Sequence, residues 1–159
     1  MPLLEDLYQK QRARQVELLP FFYSVPFTSG VGSGATVAGT VNINSDSHFV
    51  VRYFNITAFT AGQVVATATP PLLIQFGDTG SGRTMFDNAQ PIQNVCGGVA
   101  AAAGTGSLPF ILPEPWLVKA GSTVTVTIIN LGTTTFTRLD VSLPGFKVYR
   151  FGATTPADL

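Results

Sequence analysis

Charge is scarce in this sequence. Only 11% of the 159 residues are Asp, Glu, Lys or Arg, against about 25% in an average soluble domain. Nine basic residues balance nine acidic ones, so the formal net charge is zero. Neutralising nucleic-acid phosphates takes a clear excess of Lys and Arg, so this balance speaks against an electrostatic nucleic-acid binder. It also removes the polybasic route to an anionic membrane. A single histidine, His48, excludes a multi-histidine metal site. A single cysteine, Cys96, excludes an intramolecular disulfide and a Cys-rich zinc site. No run approaches the ~18 apolar residues of a membrane-spanning helix. The opening Met1–Asp6 lacks the basic and apolar regions of a secretory signal. These absences set the expectation of a protein made in the cytoplasm, with no cofactor, no bound metal, no nucleic-acid partner and no membrane partner.

What is present points to one β-domain. A chain of this length buries roughly 70% of the surface it exposes when unfolded, enough to fold without staples. The mean hydropathy is high for so few charges, at +0.31. A neutral, weakly charged surface associates readily, and a homo-oligomer is expected. From Phe21 onward, short alternating runs are punctuated by Gly and Pro. Ala35–Ile43, His48–Thr60, Leu72–Phe76, Ser122–Asn130, Thr135–Leu143 and Phe146–Phe151 read as strands, the last two separated by a Pro144-Gly145 turn. In Ser122–Asn130 the alternation places Val124, Val126 and Ile128 on the core face and Thr123, Thr125 and Thr127 on the other. Gly77–Pro91 and Cys96–Gly106 read as loops. The three prolines of Pro109–Pro115 fit an edge or an extended connection. Seven or eight such strands without a βαβ crossover predict an all-β, single antiparallel β-sandwich, jelly-roll-like.

The N-terminus differs from the rest. Six of the eighteen charges, Glu5, Asp6, Lys10, Arg12, Arg14 and Glu17, fall in the first seventeen residues. Glu5 and Asp6 suit the positive end of a helix dipole, and Asp6–Lys10 is a favourable i,i+4 pair. The spacing predicts a helix of about 14–17 residues stopped by Pro20. A helix of that length is marginal alone and must dock. The chain is therefore divided into a helical and extended arm, residues 1–28, and a β-sandwich domain, residues 29–159.

Motifs for catalysis are thin. Asp78-Thr79-Gly80 matches the core of an aspartic-protease motif, but that chemistry needs two carboxylates sharing a proton. A Gly-rich β-turn is the better reading. Gly80-Ser81-Gly82-Arg83-Thr84 lacks the Lys and the following helix of a phosphate loop. His48 follows a polar turn at a strand start, and a nucleophile–base pair would rest on it alone. Cys96 reads as a small buried apolar group. No Asp-x-Asp-x-Asp-Gly calcium loop exists. The chain is expected not to be an enzyme.

The stretch Leu112-Pro113-Glu114-Pro115-Trp116-Leu117-Val118-Lys119-Ala120-Gly121-Ser122-Thr123 runs into the alternating strand Val124–Leu131 and closes on Val141-Ser142-Leu143-Pro144-Gly145-Phe146-Lys147-Val148-Tyr149. Across about residues 108–151 this resembles the β-sandwich accessory proteins of tailed-phage virions. The resemblance implies a non-enzymatic structural protein located in the virion. It would bind the major capsid protein or other virion proteins as a capsid cement or decoration protein. A neck or collar protein at the head-to-tail junction is the nearest alternative, and a carbohydrate- or receptor-binding β-domain of a fibre is another. No catalytic residue follows from it. The expected contacts lie on the arm: Leu4, Leu7, Phe21, Phe22 and Tyr23, since large rigid side chains anchor well in a partner's pocket.

Overall fold

A computed structural model describes residues 3–61, 66, 70–96 and 111–159. Helix α1 spans Leu3–Arg12. The strands are β1 (Val16–Phe27), β2 (Thr36–Asn42), β3 (His48–Tyr53), β4 (Asn55–Phe59), β5 (Leu72–Asp78), β6 (Arg83–Thr84), β7 (Gln90–Pro91), β8 (Ile111–Val118), β9 (Thr123–Asn130) and β10 (Arg138–Arg150), with a single-turn helix α2 (Ile92–Val95) before β8. Two antiparallel sheets face one another. The first has the order β1-β10-β3-β8, with β4 continuing β3 along β10; the second has the order β2-β9-β5-β6, with β7 beside β5. The strands pair from the outside inward: β1 with β10, β2 with β9, β3 with β8, β5 with β6 and β7. This winding is that of a jelly roll, as the strand spacing predicts.

The period of two does what the sequence pattern implies. Val124, Val126 and Ile128 are fully buried between the sheets, while Thr123, Thr125 and Thr127 face outward. Phe54, Phe76 and Trp116 fill the same interior, with Phe54 and Phe76 stacked at 4.0 Å between ring centroids. Prolines sit where a missing N–H is harmless. Pro113 and Pro115 lie in β8, at the edge of the first sheet.

Three expectations are corrected. The first is the helix, which ends at Arg12 rather than running to Pro20. Arg14 adopts the left-handed conformation (φ 55), and the Arg14 and Gln15 N–H groups donate back to the Gln11 and Lys10 carbonyls. This is a Schellman stop without the glycine that normally signals one.

The second is the arm over residues 1–28. Val16–Phe27 is a strand of the sandwich, paired with β10 along its whole length, and Tyr23, Val25 and Phe27 are buried in the core. The Phe151 N–H donates to the Gln15 carbonyl. In that register the even-numbered residues of β1 turn their backbone polar groups to the free edge, where Pro20 and Pro26 are tolerated.

The third is the Pro144-Gly145 turn, which is absent; β10 runs unbroken through both residues. Pro144 falls between the segment paired with β4 and the segment paired with β3, where no partner needs its N–H. A Cβ at Gly145 would collide with the Val50 carbonyl. The loop expected over Gly77–Pro91 likewise holds β6 and β7. Beyond Cys96, the loop read over Cys96–Gly106 lies outside the described residues.

Helix α1 lies on the outer face of the first sheet. Leu7, Val16, Val50, Val148 and Ala157 form a second buried cluster there, with Leu3, Leu4, Leu18 and Leu117 against it. Thus β3 is buried on both faces, which is why Phe49, Val50 and Val51 are all inaccessible. Leu7→Ala is expected to lower the unfolding free energy by about 2–4 kcal/mol in chemical denaturation, because the deleted side chain leaves a cavity under the helix. Arg14→Gly is expected to raise it by about 0.5–1 kcal/mol, since glycine adopts the left-handed conformation without the Cβ penalty.

Candidate partner-docking surface

The side chains that could carry chemistry are held in structural roles. The Ala120 N–H donates to His48 Nδ1 at 3.0 Å, which leaves the ring proton on Nε2, 3.0 Å from the Ala157 carbonyl it donates to. The imidazole thus ties the β8–β9 turn and the C-terminal segment to the start of β3. Asp78 Oδ1 accepts from the Gly80 N–H at 2.8 Å, and Thr79 exchanges bonds with the Thr123 backbone through its own N–H and Oγ1. A Cβ at Gly80 would press on Ser122. The Asp-Thr-Gly triplet is therefore the turn of the β5–β6 hairpin. Asn130, fully buried, donates to the Gly32 and Thr134 carbonyls and accepts from the Gly132 N–H. Among the described residues, no three His, Cys, Asp or Glu side chains converge as they would on a metal ion, and no helix is long and apolar enough to cross a membrane.

The large apolar side chains that stay exposed, Tyr8, Leu19, Phe21, Phe22, Ile111, Leu131, Phe151 and Leu159, are spread over the surface, and one of them, Phe22, lies on the outer face of the first sheet beyond the end of α1. Pro20 lies opposite Phe146 and Phe22 opposite Pro144 in the β1–β10 register. These four residues, with Arg52 and Tyr53, line a shallow groove of about 410 Å³. Phe22 is the most exposed large apolar side chain of the described residues, at 65%. The Arg52 guanidinium lies over the Phe146 ring at 5.7 Å from its centroid, and its buried Nε makes no hydrogen bond. The ledge therefore combines aromatic and proline surface with one cationic donor lacking an acceptor. At Phe146 the backbone is held on both sides, because β10 pairs with β1 and β3 at once there, while Pro20 and Phe22 sit on the edge strand β1.

The five expected contact residues divide. Phe22 lies on the ledge. Phe21 lies beside it at the rim, its ring centroid 6.4 Å from that of Phe22 and 4.4 Å from Lys147 Nζ. Leu4 is half-buried and lines a groove along α1 with Tyr8 and Arg12. Leu7 and Tyr23 are corrected: both are committed inside the chain. Leu7 sits beneath the helix. Tyr23 packs edge-on against Phe49 at 4.8 Å, and its hydroxyl accepts from the Asn44 N–H. The alternation of β1 carries the reason, since odd residues from Tyr23 onward face the core. Pro144, Phe146, Arg52 and Tyr53 carried no sequence signal as contacts. The Pro144-Gly145 pair reads as a turn, which hides that Phe146 and Pro20 share one sheet face.

No protein-family model matches the sequence, and no curated protein matches it. Among solved structures, the chain is similar to a chain of the "Cyanophage Pam1 capsid asymmetric unit", with a TM-score of 0.42 and 16% identity over 83% of this chain and 86% of that one.

Cys96 provides a check on this account of buried, inert groups. Burial pushes its thiol up to about 12, because the thiolate is costly away from water. Its contribution to stability is complete below the unfolded value near 9.0 and is lost as pH rises toward about 12. In the folded protein Cys96 should resist alkylation by iodoacetamide at mildly alkaline pH and react fully once the chain is denatured. Rapid native alkylation would contradict its burial.

Proposed function

We propose that this chain is a non-enzymatic structural component of a tailed-phage virion, and that it binds the major capsid protein as a decoration or cement protein through the ledge around Phe22. The observation that carries the reading is that ledge: a 65%-exposed phenylalanine flanked by Pro20, Pro144 and Phe146 on a rigid sheet face. Rigid aromatic side chains bury much area on binding and lose little conformational entropy. Arg52, whose guanidinium lies over Phe146 in the groove, suits a partner that brings a carboxylate or a free backbone carbonyl to that cation.

Two further considerations support the reading. The jelly roll serves viral capsids, lectins and cupins alike, so the fold alone does not select among them. The single histidine fails the multi-histidine site of a cupin, and phenylalanine and proline outnumber the polar side chains Arg52 and Tyr53 in the ledge. The resemblance of residues 108–151 to virion accessory proteins points the same way. Within the virion, hundreds of copies per particle fit decoration, and about a dozen would instead place the chain at the neck or collar.

Mixing the purified chain with particles that lack it, then sedimenting, tests this reading. Phe22→Ser is expected to weaken particle binding by about 30-fold, the loss of a central hot spot, while the melting temperature stays unchanged. Phe22→Ser protein that sediments with particles at full occupancy would overturn the ledge as the attachment site.

A further inference from the structure

The first sheet protects both of its edges; the second protects one, with the two-residue strands Arg83–Thr84 and Gln90–Pro91, and leaves the other bare. β1 carries Pro20 and Pro26 with their nitrogens on the free edge, and β8 carries Pro113 and Pro115. β2, the edge of the second sheet, is Thr36-Val37-Ala38-Gly39-Thr40-Val41-Asn42, with no proline and no charge. None of its seven residues is buried. A flat, uncharged edge strand is a template for another strand unless something covers it.

The register tells which groups are offered. The Asn130 N–H donates to the Ala35 carbonyl, and the Ile43 N–H donates to the Ser122 carbonyl. Odd-numbered residues of β2 therefore bond to β9, and the N–H and C=O groups of Thr36, Ala38, Thr40 and Asn42 point to the free edge. The sequence is close to palindromic about Gly39. An antiparallel two-fold centred there sets Val37 of one copy opposite Val41 of the other, Ala38 opposite Thr40, and Thr36 opposite Asn42. It joins even residues to even residues, which are the ones with unused backbone groups, and so forms about eight main-chain hydrogen bonds. It also keeps core-facing residues on one side, so the half-buried Val37 and Val41 are covered by their counterparts. Glycine meets glycine on the axis, where Gly39 already lies against Val25 and Phe27 of its own chain. A groove of about 340 Å³ between residues 26–30 and 37–39 leaves this edge open.

We infer that β2 pairs with β2 of a second copy of this chain, in antiparallel register about Gly39, joining the two second sheets into one. The contact is isologous, as a closed dimer requires. It lies on the opposite sheet from the Phe22 ledge, so self-pairing and attachment stand or fall separately.

Sedimentation of the full chain, with amide hydrogen exchange, tests the pairing. The wild-type protein is expected to be a dimer at about 10 μM, with the Thr36, Ala38, Thr40 and Asn42 amides protected. Ala38→Pro removes an N–H that the monomer does not use, and should raise the dimer dissociation constant about 100-fold or more while unfolding remains cooperative. Ala38→Lys places two charges at the seam and should act the same way should the proline variant fail to fold. Three results would each overturn the inference: a wild-type monomer up to about 100 μM; a dimer that survives both substitutions; or protection of the even-numbered amides that arises only on particles, which would make a foreign strand the occupant.

Discussion

Twelve residue pairs join β1 to β10 in continuous antiparallel register, from Val16–Arg150 to Phe27–Leu139. The first strand and the last thereby close the molecule, and much else depends on that seam. On its inner face it delivers Tyr23, Val25, Phe27, Leu139, Val141 and Leu143 to the core. On its outer face it presents Val16, Leu18 and Val148, the floor on which α1 docks. Between the helix and the polar far end of the sheet, the same seam brings Pro20 beside Phe146 and Phe22 beside Pro144. The ledge is therefore a direct product of fold closure: without this register, Phe22 and Phe146 would not share a surface. Such long-range pairing carries a large loop-closure cost, which the buried apolar area of both faces offsets.

Much of this was legible in the sequence, and the misses have physical causes. Strands buried on one face announced themselves, as the Thr/Val alternation of β9 does. Those buried on both faces did not. In β10 the apolar positions change phase, from Leu139, Val141 and Leu143 to Phe146 and Val148, which reads as two strands around a turn. The strand has no break; α1 covers the outer face at that end, so the buried apolar residue there, Val148, has the opposite parity to Leu139, Val141 and Leu143. In β1, Pro20 and Pro26 suppress the strand signal because edge geometry, which tolerates them, is not local information. The helix end at Arg14 gave no cue because a left-handed arginine replaces the usual glycine. The apolar residues of the N-terminus were recognisable as docking groups, but only the fold separates Leu7 and Tyr23, which dock internally, from Phe22, which is left exposed.

The residues with reactive side chains show the same division of labour. His48 uses both ring nitrogens on backbone groups, Asp78 shapes a hairpin turn, and Cys96 is sealed against ionisation. What remains for interaction is surface: an aromatic ledge with one unsatisfied arginine donor, and an unprotected strand edge on the opposite sheet. A rigid body with two distinct faces of this kind suits a part that sits in an assembly and touches unlike neighbours.

A reconstruction of a virion containing this chain, at a resolution that places individual strands, tests the central claim most directly. The account predicts that the outer face of the first sheet is turned to the neighbouring capsid subunit, with Phe22 and Phe146 covered and an acceptor from that neighbour near Arg52. A particle in which the chain is present but this face looks into solvent would contradict it.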